Sequence, residues 1–89
     1  MSSASSSVPD EATIARRIVR DIPEAPSSLS LDLPFDDAEI DSLVLAEAAA
    51  VATLVYHVPI QDWELREAGT MRGAGLLIKE RIASTLATT

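Results

Sequence analysis

A chain of 89 residues has room for one small domain, not for separate cofactor and substrate domains. Fourteen acidic against seven basic residues give a formal net charge of −7, which disfavours nucleic acid and anionic membrane surfaces as partners. The absence of cysteine rules out disulfide staples and thiolate metal sites.

Residues 1–8 read as a disordered tail: the serine-rich start has neither a basic region nor the apolar stretch of a targeting signal. Residues 9–87 read as a single domain, and a cytoplasmic address is expected. The first helix begins near Pro9 or Asp10. Ile14, Ile18 and Ile22 recur at helical spacing, with Ala15 and Val19 beside them. Acidic Asp10 and Glu11 precede Arg16, Arg17 and Arg20, the order that suits the helix dipole, and Pro23 stops the helix.

From Pro23 to Asp41 no period persists, because Pro23, Pro26 and Pro34 interrupt and Ser27, Ser28 and Ser30 loosen the chain. A loop of about twenty residues is long for so small a domain, and such loops tend to be functional or disordered. Leu29, Leu31, Leu33 and Phe35 alternate with other residues as a strand would. With no partner strand in sight, they are expected to be apolar anchors that tie the loop to a helical core.

A second helix is predicted from Ser42 to Tyr56, capped by Asp41 or Ser42 and carrying Glu47 as its only charge. Such a helix is mostly buried or presents an apolar face to a partner. The run from Leu43 to Ile60 also contains His57 and Pro59, so it is a poor membrane span. A short third helix covers Gln61 to Glu67. The last helix follows Gly69, with Thr70 as its cap and Met71, Ala74, Ile78, Ile82 and Leu86 as its stripe. Gly73 and Gly75 weaken it by about 1 kcal/mol each relative to alanine, which points to close approach of a neighbouring helix. No internal repeat is visible. The fold class is all-α: a small four-helix bundle with a long loop between helices 1 and 2 and a short third helix.

Chemistry-bearing sets are few. The glycine-rich Gly69-Thr70-Met71-Arg72-Gly73-Ala74-Gly75 lacks the Lys-Ser/Thr of a phosphate loop and follows no strand. His57 is the only histidine; even with Asp62 and Glu64 it makes a weak ligand set, so no metal is expected. Asp32, Asp36, Asp37, Glu39 and Asp41 lack the spacing of a calcium loop. They read as a solvated acidic surface or as a dock for a partner's Arg and Lys. His57 lies too far along the second helix to act as a base for Ser42. No catalytic set remains, and the chain is not expected to be an enzyme.

Ser42 stands out by position, where a long loop meets the N-terminus of an apolar helix. A phosphate on its hydroxyl would meet the helix dipole and amide donors. A plain helix cap is the alternative. Asp41-Ser42-Leu43, opening an apolar helix after a long loop, resembles the attachment motif of acyl carrier proteins. The resemblance spans about Ile14 to Leu86. It includes the hydrophobic-proline pair Val58-Pro59 after the second helix, and Ala68-Gly69-Thr70-Met71 opening the last.

The resemblance implies that a phosphopantetheinyl transferase attaches 4′-phosphopantetheine to Ser42. The arm's thiol then carries an acyl group, including amino-acid-derived ones, as a thioester. It implies a monomer served by an acyltransferase, an acyl- or aminoacyl-ligase, or a ketosynthase. By alignment with the family, Leu45, Ala46, Ala49 and Ala50 would point outward, and Asp41, Leu43, Glu47, Trp63 and Arg66 would join them in partner recognition.

Two departures from the family pattern stand out. Glu39 occupies a position where glycine is more usual. The second helix carries only Glu47 where fatty-acid carriers have several acidic residues, which leans to a discrete carrier of a polyketide-type pathway. Peptidyl carriers more often show Gly-Gly-x-Ser. Trp63, Tyr56 and Phe35 are otherwise expected as core or loop anchors, with a border for the acyl chain made by Trp63, Ile60 and Leu65 as the sharper reading. Arg66 and Arg72 are expected to be solvated, or to contact the arm's phosphate or a docking enzyme. A small helical adaptor or dimerisation module without cofactor is the rival reading.

Overall fold

A computed structural model describes residues 8–23 and 29–87, with side chains described through residue 85. The tail expected over residues 1–8 therefore lies, apart from Val8, outside the described residues, as do Pro26, Ser27 and Ser28 of the loop and the Leu86 side chain. Among the described residues the fold is all-α, with four helices and no strand: α1 (Glu11–Arg20), α2 (Ser42–Tyr56), α3 (Asp62–Ala68) and α4 (Met71–Ala87). None is long and apolar enough to cross a membrane.

Local chemistry starts the helices at or within one residue of where the sequence predicts: Gln61, read as the first residue of the third helix, is its cap, and α3 runs from Asp62 to Ala68. The Asp10 carboxylate accepts from the Thr13 N–H at 2.8 Å, and Asp41 accepts from Val44 at 3.0 Å. Glu64 reaches back to the Gln61 N–H at 2.9 Å, and the Thr70 hydroxyl accepts from the Gly73 N–H at 3.0 Å. The first helix ends at Arg20, before Pro23 is reached, because the Asp21 N–H turns back onto the carbonyls of Arg17 and Ile18.

The second helix ends at His57, which adopts a left-handed backbone at φ 59, ψ 36 and donates its N–H to the Thr53 carbonyl at 3.0 Å. A side chain there costs about 1 kcal/mol that glycine avoids. We expect His57→Gly to raise the melting temperature by about 4 °C, read by circular dichroism. A fall would show that the imidazole makes a contact outweighing the backbone strain.

Ile14, Ile18, Leu45, Leu65, Ile78 and Val58 are the largest fully buried side chains. Each stabilises by about 2 kcal/mol through apolar area removed from water. Helix α4 lies along α1, and Gly75 makes that contact close. A methyl at this position would overlap the Glu11 carbonyl oxygen and come within 3.3 Å of Ala15 Cβ. This bears out the close approach read from the glycines.

Residues 31–39 of the α1–α2 loop fold as successive turns, and among the described residues a single bridge from Pro34 to Thr70 stands in place of a strand. Leu31 and Phe35 are buried and Leu29 packs partly against the core. Leu33 corrects the anchor reading: it is exposed, because turns break the alternation that a strand would have kept. Ala38 and Ile40 take inward positions instead.

Two polar clamps hold the elements. Arg81 pairs with Glu64 and donates to the Pro59 carbonyl at 3.0 Å, joining α4 to α3. Arg72 pairs with Asp32 at 2.6 Å, joining α4 to the loop. The guanidinium hydrogen bonds hold both carboxyls below their ordinary range, with the Gln61 N–H contributing at Glu64. A lowered folded pKa stabilises fully above the unfolded value, near about 4, and that stabilisation fades as pH falls through the folded value. The stability difference between wild type and Arg81→Met is therefore expected to hold from about pH 7 to 5 and to shrink below about pH 4 in urea titrations. A difference undiminished at low pH would assign the role of Arg81 to the Pro59 carbonyl and packing.

Candidate functional site

Ser42 is the first helical residue of α2 and is exposed. The capping bond is made by Asp41, so the serine hydroxyl is not spent on the helix terminus. Instead its Oγ accepts a hydrogen bond of 2.7 Å from the Arg66 guanidinium, 24 residues further along the chain. Arg66 sits in the last turn of α3, where a cation suits the carbonyl end of the helix.

The loop delivers Ser42 to this point. Ile40 is buried, with its N–H on the Phe35 carbonyl at 3.0 Å. The Phe35 N–H donates to the Gly69 carbonyl at 3.0 Å, and the Arg72 N–H donates to the Leu31 carbonyl at 2.9 Å. The loop is thus tied to the α3–α4 junction, three residues from Arg66. Gly69 itself takes φ 84, a left-handed turn that ends α3.

The resulting open concavity, about 560 Å³, is lined by Phe35, Asp36, Glu39, Ile40, Asp41, Ser42 and Arg66. Arg66 is the one cation among these lining residues. Glu39 has φ 59, the left-handed region that glycine adopts without cost. The position where the resembled family favours glycine therefore has the backbone that favours it, and Glu39 holds it at a cost of about 1 kcal/mol. Among the described residues no three His, Cys, Asp or Glu side chains gather in a way that could hold a metal ion.

The residues expected to meet partners divide by burial. Asp41, Leu43, Ala46, Ala50, Trp63 and Arg66 are exposed, and Glu47 is half-buried. Leu45 and Ala49 are corrections. Both were expected to point outward, and both are buried with Val44, Ala48 and Ala52 against the core. The outward stripe is Leu43, Ala46, Ala50 and Leu54, at spacings of three and four, and Leu54 was missed. A helix apolar on every side gives no periodic signal to choose the inward face.

Trp63 is a further correction. It is 56% exposed rather than a core anchor, while Phe35 is buried and Tyr56 packs partly against the core. Nor do Trp63, Ile60 and Leu65 form one accessible border, since Ile60 and Leu65 are buried. The signal was present in the spacing: residues two apart on a helix lie on nearly opposite sides, so Leu65 inside places Trp63 outside. Arg72 is engaged with Asp32, whereas Arg66 meets Ser42. Neither contact can be read from local sequence.

No protein-family model, curated protein or solved structure matches the chain.

Proposed function

We propose that the chain is a carrier protein that holds an acyl group on a 4′-phosphopantetheine arm attached to Ser42. The observation that carries this reading is the state of the Ser42 hydroxyl. It is exposed at the start of α2, relieved of capping by Asp41, and touched by a guanidinium. A serine kept only as a cap would make the bond that Asp41 makes. In loading, Ser42 Oγ attacks the phosphorus next to the pantetheine of coenzyme A. The Oγ–P bond forms, the P–O bond to 3′,5′-ADP breaks, and the hydroxyl proton passes to a base of the transferase. The arm, once attached, supplies a thiol that holds cargo as a thioester.

This chain's part is presentation: α2 and the anchored loop hold the attachment oxygen at the surface and raise the effective concentration of cargo at a docked enzyme. Partners on this reading are the transferase and an acyltransferase, ligase or ketosynthase. The outward stripe of α2 is apolar, so contacts there rest on buried area more than on charge. With Glu47 its only acidic residue, α2 favours a discrete carrier of a polyketide-type pathway over a fatty-acid carrier.

The test is intact mass after incubation with coenzyme A, Mg²⁺ and a promiscuous phosphopantetheinyl transferase. A single adduct supports the carrier reading. An unmodified, folded protein beside a modified control carrier overturns it. The exposed stripe Leu43, Ala46, Ala50 and Leu54 favours a second reading, a helical adaptor or dimerisation module. That reading requires a concentration-dependent dimer in sedimentation.

A further inference from the structure

Three carboxylates, Asp36, Glu39 and Asp41, line the same concavity as Ser42. A phosphodiester placed on Ser42 adds another negative charge among them. By Coulomb's law the four repel one another unless a cation stands close. Arg66 stands there, with its Nη2 at 2.7 Å from the oxygen that would carry the phosphorus.

Of the other basic residues, all but Arg16, which lies on α1, are engaged in ion pairs elsewhere. Among the described residues, Arg17 and Arg20 pair with Asp21, Arg72 with Asp32, Lys79 with Glu11 and Arg81 with Glu64. Arg66 enters none of the ion pairs formed among the described residues, although three carboxylates share its concavity. Its contact is with a neutral hydroxyl. A guanidinium has five N–H donors in a planar fork that matches phosphate oxygens, and the Ser42 bond uses one.

We infer that Arg66 is the phosphate-binding residue of the site: it pairs with the non-bridging oxygens of a phosphodiester on Ser42 and fixes the direction in which the arm leaves the protein. This rests on the carrier reading. Arg66 is a positioning residue. It neutralises the added charge and holds the arm's root against the C-terminal end of α3.

The experiment compares wild type, Arg66→Ala and Arg66→Lys, each before and after loading, with loading followed to completion by intact mass. In low salt, loading is expected to change the melting temperature of wild type more favourably than that of Arg66→Ala by about 3 °C, with Arg66→Lys between them. The difference should vanish near about 1 M NaCl, where screening extends to a few ångströms. Because each protein is compared with its own unloaded form, a fold cost of the substitution cancels. In wild type, loading should shift the Arg66 Nε–H resonance, and the phosphorus resonance of loaded wild type should differ from that of loaded Arg66→Ala; high salt should diminish both differences.

Equal loading effects in all three proteins, or an Arg66 resonance unmoved by loading, would overturn the inference and leave the carrier reading standing. A wild type that takes up no arm would overturn the carrier reading itself, and the mass spectrum shows this before any melting curve is run.

Discussion

Ser42→Ala is expected to take up no phosphopantetheine under conditions that load the wild type completely, while its fold and stability stay close to wild type. The two halves of this result have separate causes. Loading needs an oxygen nucleophile at position 42, and Ser42 carries the only hydroxyl among the residues lining its concavity. Stability, by contrast, barely depends on the hydroxyl. Asp41 makes the capping bond to Val44, so the loss of about 1 kcal/mol that follows removal of a cap does not apply. What the substitution removes is one exposed bond to Arg66, worth about 0.5–1 kcal/mol. What it adds is the better helix propensity of alanine, about 0.5 kcal/mol. The two nearly cancel, and the melting temperature should move by no more than about 3 °C. Intact mass and circular dichroism on the same samples check both halves. An adduct that survives Ser42→Ala would place the attachment elsewhere. A large fall in melting temperature would return Ser42 to a structural role and strengthen the adaptor reading.

Gly75→Ala is the substitution expected to damage the fold most for the smallest change in atoms. Alanine in a helix interior ordinarily gains about 1 kcal/mol over glycine. Here the added methyl would meet the backbone carbonyl of Glu11 on α1, with Ala15 Cβ also at 3.3 Å. A flexible side chain could turn aside, but a carbonyl in a helix cannot move without its neighbours. Separating α1 from α4 would loosen Ile14, Ile18 and Ile78, all fully buried. Overpacking of this kind costs about 1–3 kcal/mol, and the upper end applies because the obstacle is backbone. After the propensity gain, a net loss of about 2 kcal/mol remains, a fall of about 10 °C in melting temperature. Thermal and urea unfolding would measure it. A neutral or stabilised variant would mean that α1 and α4 do not approach as closely as the structure has them.

The elements of this protein were legible because their signals are local. Asp10, Asp41 and Thr70 each satisfy an amide donor at a helix start within three residues, so the caps are written beside the helices they start. The glycines of α4 announced a close contact, because glycine is retained in a helix against its propensity. The exposed serine at the head of α2 was equally readable. Its environment was not. Arg66 is 24 residues from Ser42, and the two meet only because the loop is tied to the α3–α4 junction. Likewise, α2 has apolar residues all round, so its own pattern could not select Leu45 and Ala49 as inward or Leu43 and Leu54 as outward. Sequence by itself determined where the helices begin, to within a residue, and which oxygen lies at the head of α2, because short-range hydrogen bonds and backbone preferences decide those. Tertiary structure alone decided which face of α2 is buried and which cation meets Ser42. Those outcomes depend on packing between segments distant in the chain.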